Sequence, residues 1–196
     1  MKPAPLGITP ITIADAQLDM RTAYYGGAPG VLCSGLVWFT AGLVALNLSA
    51  GQAVWSLLIG GMFIHPAAVL LNKALGRSGK HNSSNPLGSL AMASTFWMIM
   101  CLLLAYGVST IRIEWFFPAV LLIIGGRYMT FATVYGTRVY WVMGVALAVS
   151  AYPLVVYNAS PATGALTGGG IEVAFAVAIF LMSGRTARGA AGAAGI

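Results

Sequence analysis

Between Thr22 and Asn72 the chain carries no Asp, Glu, Lys or Arg, and the same holds from His81 to Ile111, from Trp115 to Gly126 and from Val139 to Ile171. A soluble helix keeps one face charged or polar; these runs offer water almost nothing. About 20 apolar residues rising ~1.5 Å each cross a hydrocarbon layer ~30 Å thick, and six runs here are that long or nearly so. The composition agrees: 59% hydrophobic, 7% charged and a mean hydropathy of +0.86, against about a quarter charged in soluble domains. A transmembrane barrel would need alternating segments of about ten residues, which the sequence lacks. The expected fold is all-α: one polytopic domain of six transmembrane helices over residues 1–188, followed by a disordered Gly/Ala tail at 189–196.

Read in order, residues 1–10 hold three prolines and predict irregular chain. Thr9-Pro10 resembles a helix start, and a short amphipathic helix is expected over 11–25, ended by Gly26-Gly27-Ala28-Pro29. The first apolar run follows acidic residues and no small-residue cleavage pattern, so a removable signal peptide is not expected. The spans are predicted at about 30–48, 53–74, 87–108, 115–136, 139–157 and 169–184, with 158–168 as an uncharged loop rich in Ser, Thr, Pro and Gly. Pro66 removes a backbone donor and is expected to bend the second span. Leu58 to Ala67 echoes Ile123 to Ala132 around paired glycines, and Gly169-Gly170 is a third pair; this hints at a helical hairpin repeated three times.

Placing both termini, the link between spans two and three and the link between spans four and five on one side gathers every Lys and Arg there except Arg112 and Arg127. The positive-inside rule makes that side cytoplasmic. With the basic residues scattered over short loops, the net charge of +6 points to topology and not to nucleic acid.

Counted from Trp115, a residue type favoured at interfaces, Arg127 falls roughly 18 Å into the fourth span. A charge there costs on the order of 3 kcal/mol on insertion scales, so it must be paired, wetted or turned inward. Thr40, His65, Thr95, Thr130 and Ser150 fall at similar depth. If Arg127 and His65 face each other, with Thr130, Thr40 and Tyr128 nearby, they form a polar midplane site suited to an anion, which a guanidinium fork binds with two parallel bonds. The competing reading is structural: Arg127 reaches Asp15, Asp19 or helix-end carbonyls, and His65 satisfies a carbonyl freed by Pro66. Glu172, read as only a few residues into the last span, is a further candidate charge partner, with outer water the simpler environment. The tyrosines Tyr128, Tyr135, Tyr140, Tyr152 and Tyr157 read mostly as an interface belt.

No nucleophile with its base, and no His/Asp/Glu cluster, supports catalysis or a metal. Cys33 and Cys101 lie in apolar runs and read as small hydrophobes. No acid is expected deep in the membrane, which argues against a proton relay. No cofactor is expected.

The junction Asp19-Met20-Arg21-Thr22-Ala23-Tyr24-Tyr25-Gly26-Gly27-Ala28-Pro29-Gly30, continued by Ser34-Gly35 and Trp38, resembles small bacterial membrane proteins grouped as a domain of unknown function. The resemblance implies a bacterial inner-membrane protein and carries no activity across. The leading expectation is a small transporter-like or ligand-binding protein, taking a small anionic ligand or lipid around Arg127 and His65. The alternatives are a structural or interaction protein, such as a homo-oligomer packed through small residues, and a membrane enzyme acting on lipid.

Overall fold

The computed structural model describes residues 11–193 and contains no strand among them. Seven α-helices follow in order: α1 (Ile13–Tyr24), α2 (Ala28–Asn47), α3 (Ala50–Ala74), α4 (Pro86–Ile111), α5 (Phe116–Tyr135), α6 (Val139–Val156) and α7 (Pro161–Ala193). Six spans are long and apolar enough to cross a membrane, so the chain is a multi-pass membrane protein whose surroundings are a lipid bilayer. Short α1 precedes α2 across the turn Tyr25–Gly27, where Tyr25, Gly26 and Gly27 all have positive φ. Gly27 is required twice over: its φ is 90°, and a Cβ there would collide with the Tyr140 hydroxyl.

Caps set the boundaries. Thr12 starts α1, its hydroxyl accepting from the Asp15 amide at 3.2 Å and donating to the Asp15 carboxylate at 2.6 Å. The expected start at Thr9-Pro10 lies outside the described residues. Ser49 accepts from the Gln52 amide at 3.2 Å to open α3, and Asn85 accepts from the Leu87 amide at 2.9 Å to open α4. α3 continues through Pro66 without interruption.

The largest correction concerns the last span. Only residues 158–160 of the expected loop are non-helical, and 161–168 are already helix: Ser160 accepts from the Thr163 amide at 3.2 Å and Pro161 is the first residue of α7. Ser, Thr, Pro and Gly compose a loop when read as a list, yet Ser-Pro is also the usual start of a helix, and glycines within a membrane span let helices approach. Gly164 meets Phe117, Gly168 meets Trp38, and Gly169 meets Phe39 and the Gly35 carbonyl. At the other end α7 runs to Ala193; the expected disordered tail at 189–196 falls outside the residues whose side chains are described, and 194–196 lie outside the described chain.

The helices are arranged as a sequence of neighbours in space, α3, α2, α7, α6, α5, α4. The interior ones, α2, α5, α6 and α7, supply most of the core, including Trp38, Phe116, Phe117, Leu121, Met143 and Leu147. Helices α3 and α4 are peripheral. Each packs on one neighbour, α3 on α2 and α4 on α5, and they do not pack closely on each other, although the Trp55 and Tyr106 rings touch at 5.5 Å at one end. The paired glycines of α3, α5 and α7 lie at similar depths but meet different partners: Gly60 approaches Val37 of α2, Gly125 approaches Gly144 of α6, and Gly169 approaches Gly35 of α2.

α1 is a strap over one end of this bundle. The Asp19 carboxylate accepts from the Asn82 amide at 3.0 Å and from the Asn85 side chain at 2.8 Å, and the Gly79 amide donates to the Ala23 carbonyl at 3.1 Å, tying down the α3–α4 loop. Gln17 donates to the Thr133 carbonyl at 2.9 Å and Arg21 to the Tyr135 carbonyl at 2.7 Å, tying down the end of α5. Thus the links carrying Arg77, Lys80 and Arg138 share one face, with Arg21 between them. On the opposite face Arg112 pairs with Glu114 at 3.5 Å and donates to Asn158 at 3.1 Å.

Candidate functional site

A cavity of about 450 Å³ opens between α3 and α4, with α2 and α5 as its back wall. It lies within the size range of small-molecule sites, about 300–1,000 Å³. Arg127 enters it from α5. One terminal nitrogen donates to the Thr95 hydroxyl of α4 at 3.1 Å, the other approaches the Met98 sulfur at 3.4 Å, and the guanidinium lies 5.0 Å from the centre of the Phe131 ring. Nε has no hydrogen-bond partner, and no carboxylate forms an ion pair with Arg127 among the described residues. A hydroxyl, a thioether and an aromatic face are weak company for a cation in a membrane.

The sequence-derived candidates divide. Arg127, His65 and Tyr128 line the same cavity, together with Thr95, Ser34 and Asn72. Thr40 and Thr130 do not line it: Thr40 is exposed on α2 with its hydroxyl donating to the Leu36 carbonyl at 2.9 Å, and Thr130 turns back to the Gly126 carbonyl at 3.5 Å. Depth along a span says nothing about which way a helix faces, and α2 and α5 are too uniformly apolar to show a face. Asp15 and Asp19 are not partners of Arg127. The first serves the start of α1, and the second holds the α3–α4 loop.

Glu172 needs the strongest revision. With α7 starting at Pro161 it stands roughly 17 Å along the helix, and its exposure is 0%. It is neither at the outer surface nor near Glu114, and an acid does lie deep in the membrane after all. Tyr128 donates to its Oε1 at 3.1 Å. The Ser34 hydroxyl is its other polar neighbour, but Oε2 has no partner at hydrogen-bonding geometry. Glu172 forms no ion pair with Arg127. The signal that could have found it is spacing: Gly164, Gly168, Glu172 and Ala176 recur every four residues on one face of α7, and that face packs on α2 and α5.

Behind Arg127, three tyrosines expected at an interface are buried instead. Tyr128 stacks on Tyr140 with ring centres 6.0 Å apart, and Tyr140 on Tyr135 at 5.3 Å; Phe131 meets all three edge-on. Tyr140 donates to the Gly26 carbonyl at 2.6 Å, joining the stack to the turn before α2. Tyr152 and Tyr157 are exposed, as an interface belt requires. At the strap end of the cavity the Tyr24 hydroxyl meets His81 Nδ1 at 2.8 Å.

Fold and site together define a polytopic helical membrane protein with a midplane cavity that exposes one guanidinium, backed by a buried carboxyl and a tyrosine stack. The chain belongs to the Family of unknown function (DUF7010), whose model matches residues 13–182. Neither a curated protein nor a solved structure matches it.

Proposed function

We propose that this protein binds a small anionic ligand at the midplane of a bacterial cytoplasmic membrane, with Arg127 as the recognition group. The observation that carries the reading is the state of that side chain: it lines a cavity, lacks an ion-pair partner among the described residues, and has a buried Nε with no hydrogen-bond partner. A carboxylate or phosphate would supply the missing charge, and the planar fork suits either. Thr95 lies beside the guanidinium as a further hydroxyl group, Tyr128 adds its ring to the lining, and His65 lines the facing wall on α3. Secondary transporters hold their substrates at this depth between helices, which extends the reading to carriage of the same ligand. The face carrying Arg77, Lys80 and Arg138 is then cytoplasmic, with both termini.

The test is thermal unfolding of the purified full chain with acetate, benzoate, dodecanoate or inorganic phosphate. At least one anion should raise the midpoint, and Arg127→Met should abolish that shift while keeping the side chain's packing against Met98 and Phe131. No shift with any anion, or a shift that survives in Arg127→Met, overturns the reading.

A structural reading has one observation in its favour. Peripheral α4 packs mainly on α5, and Arg127 adds polar contacts to Thr95 and Met98 across that seam. On that reading Arg127→Met lowers the midpoint equally with and without anions.

A further inference from the structure

Beyond Arg127 and its immediate neighbours, the polar groups that line the cavity lie towards one end. Towards the face that carries Arg112, its wall is Trp38, Leu57, Leu58, Leu102, Val120 and Ile124; towards the strap, Tyr24, Asn72 and His81 enter the lining. Arg127 stands between the two halves. A small hydrophilic anion would meet Arg127 but leave the apolar half empty or wetted without hydrogen-bond partners, neither of which such a surface favours. The side of the cavity is also unusual. Helices α3 and α4 bound it without packing closely on each other, and the residues they turn towards lipid on either side, Phe63, Leu70, Phe96 and Leu103, are exposed and apolar.

Resting on the anion reading above, we propose that the ligand is a single-chain amphiphile with an anionic head, taken sideways from the bilayer between α3 and α4. The head lies against Arg127 and Thr95, and the tail follows the apolar half past Leu58, Leu102 and Ile124. About 450 Å³ is the size of a small-molecule site, which suits one chain with its head. Lipid solvates the tail as well as the cavity does, so the tail concentrates the ligand beside the opening and the guanidinium selects it.

The experiment uses the full chain in lipid nanodiscs and dodecanoate carrying a photoreactive diazirine near its tail end. Specific labelling is the part competed by unlabelled dodecanoate. Competition by dodecanol should be at least tenfold weaker, since it partitions into lipid yet brings no charge, and acetate should be at least tenfold weaker because it does not partition. Specific adducts should map to Leu57–Gly61, Leu102 and Val120–Ile124. Arg127→Met should remove them and Arg127→Lys, which keeps a charge without the fork, should reduce them; the comparison with dodecanol stands even if both variants misfold. Equal competition by dodecanol, equal competition by dioleoyl phosphatidic acid, or adducts at Tyr24, Asn72 and His81 overturns the inference. If acetate competes as well as dodecanoate, the anion site stands and the amphiphile falls; if no anion binds, both fall.

Discussion

Arg127 on α5 and Glu172 on α7 share the membrane midplane, and they do not form an ion pair. Arg127 faces a cavity; Glu172 is sealed behind its wall with Tyr128 as donor and one oxygen unmatched. Tyr128→Phe would remove that donor and leave Oε1 bare. The loss should be about 0.6–2 kcal/mol, the span seen for buried polar contacts within membranes, read as a lower midpoint in detergent-induced unfolding. Glu172→Gln keeps an acceptor for Tyr128 and turns an amide donor towards Ser34, so its midpoint should match or exceed that of the parent chain. A larger loss in Glu172→Gln than in Tyr128→Phe would show that the carboxyl does more than accept from Tyr128. The sequence made Arg127 legible because its charge interrupts an apolar run at a depth that can be counted from Trp115. The same count misplaced Glu172, since the helix start at Ser160-Pro161 has the composition of a loop. Whether His65, Thr40 or Thr130 faced inward was not legible at all, because that depends on the rotation of helices whose every face is apolar.

At the scale of the helices, close approach replaces hydrophobic contrast as the means of choosing neighbours. Gly125 and Gly144 bring α5 and α6 together: a Cβ on Gly125 would sit 2.7 Å from the Gly144 carbonyl oxygen, and one on Gly144 2.6 Å from the Gly125 carbonyl oxygen. Those atoms belong to backbone, so a side chain can be accommodated only by moving a helix. Gly126, the next residue, has open space where its Cβ would be. Gly125→Ala should therefore cost about 1–3 kcal/mol, the usual penalty for overpacking. Gly126→Ala should be neutral or stabilising by up to about 1 kcal/mol, because alanine restricts the unfolded chain more than glycine does. Equal unfolding midpoints for the two variants would refute this packing. The glycine pairs were visible in the sequence as an echo between spans; which member of each pair touches a neighbour, and which neighbour, became visible only with the helices in place. Glycines 35, 42, 125, 144, 164, 168 and 169 are all used inside the chain, so those positions give no support to the alternative in which small residues serve contacts between subunits.

Across the whole molecule, charge and the strap mark the same end. The α3–α4 loop with Arg77 and Lys80 is bonded to α1 through Asp19 and Ala23, while Arg112 lies at the far end beside Glu114 and Asn158. The number of spans and the gathering of cations were legible in the sequence, because both follow from hydropathy and charge alone; the strap's attachment was not, since it rests on a few hydrogen bonds, accepted by Asp19 and donated by Gln17 and Arg21, with groups more than sixty residues away. If the basic end is cytoplasmic, trypsin added to inverted inner-membrane vesicles should cut after Arg77 or Lys80 and leave Arg112 intact, and sealed right-side-out vesicles should show the reverse preference. Asp19→Ala removes the acceptor of two bonds to the loop without touching a span. It should speed cleavage at Arg77 and Lys80 severalfold in inverted vesicles only, since freeing a segment raises the population a protease can grip. Cleavage of both loops from one side would show that the bundle does not cross the bilayer as its two charged ends require. Cleavage at unchanged rate in Asp19→Ala would instead leave the topology standing and show that Ala23, Tyr24 and the other contacts suffice to hold the strap.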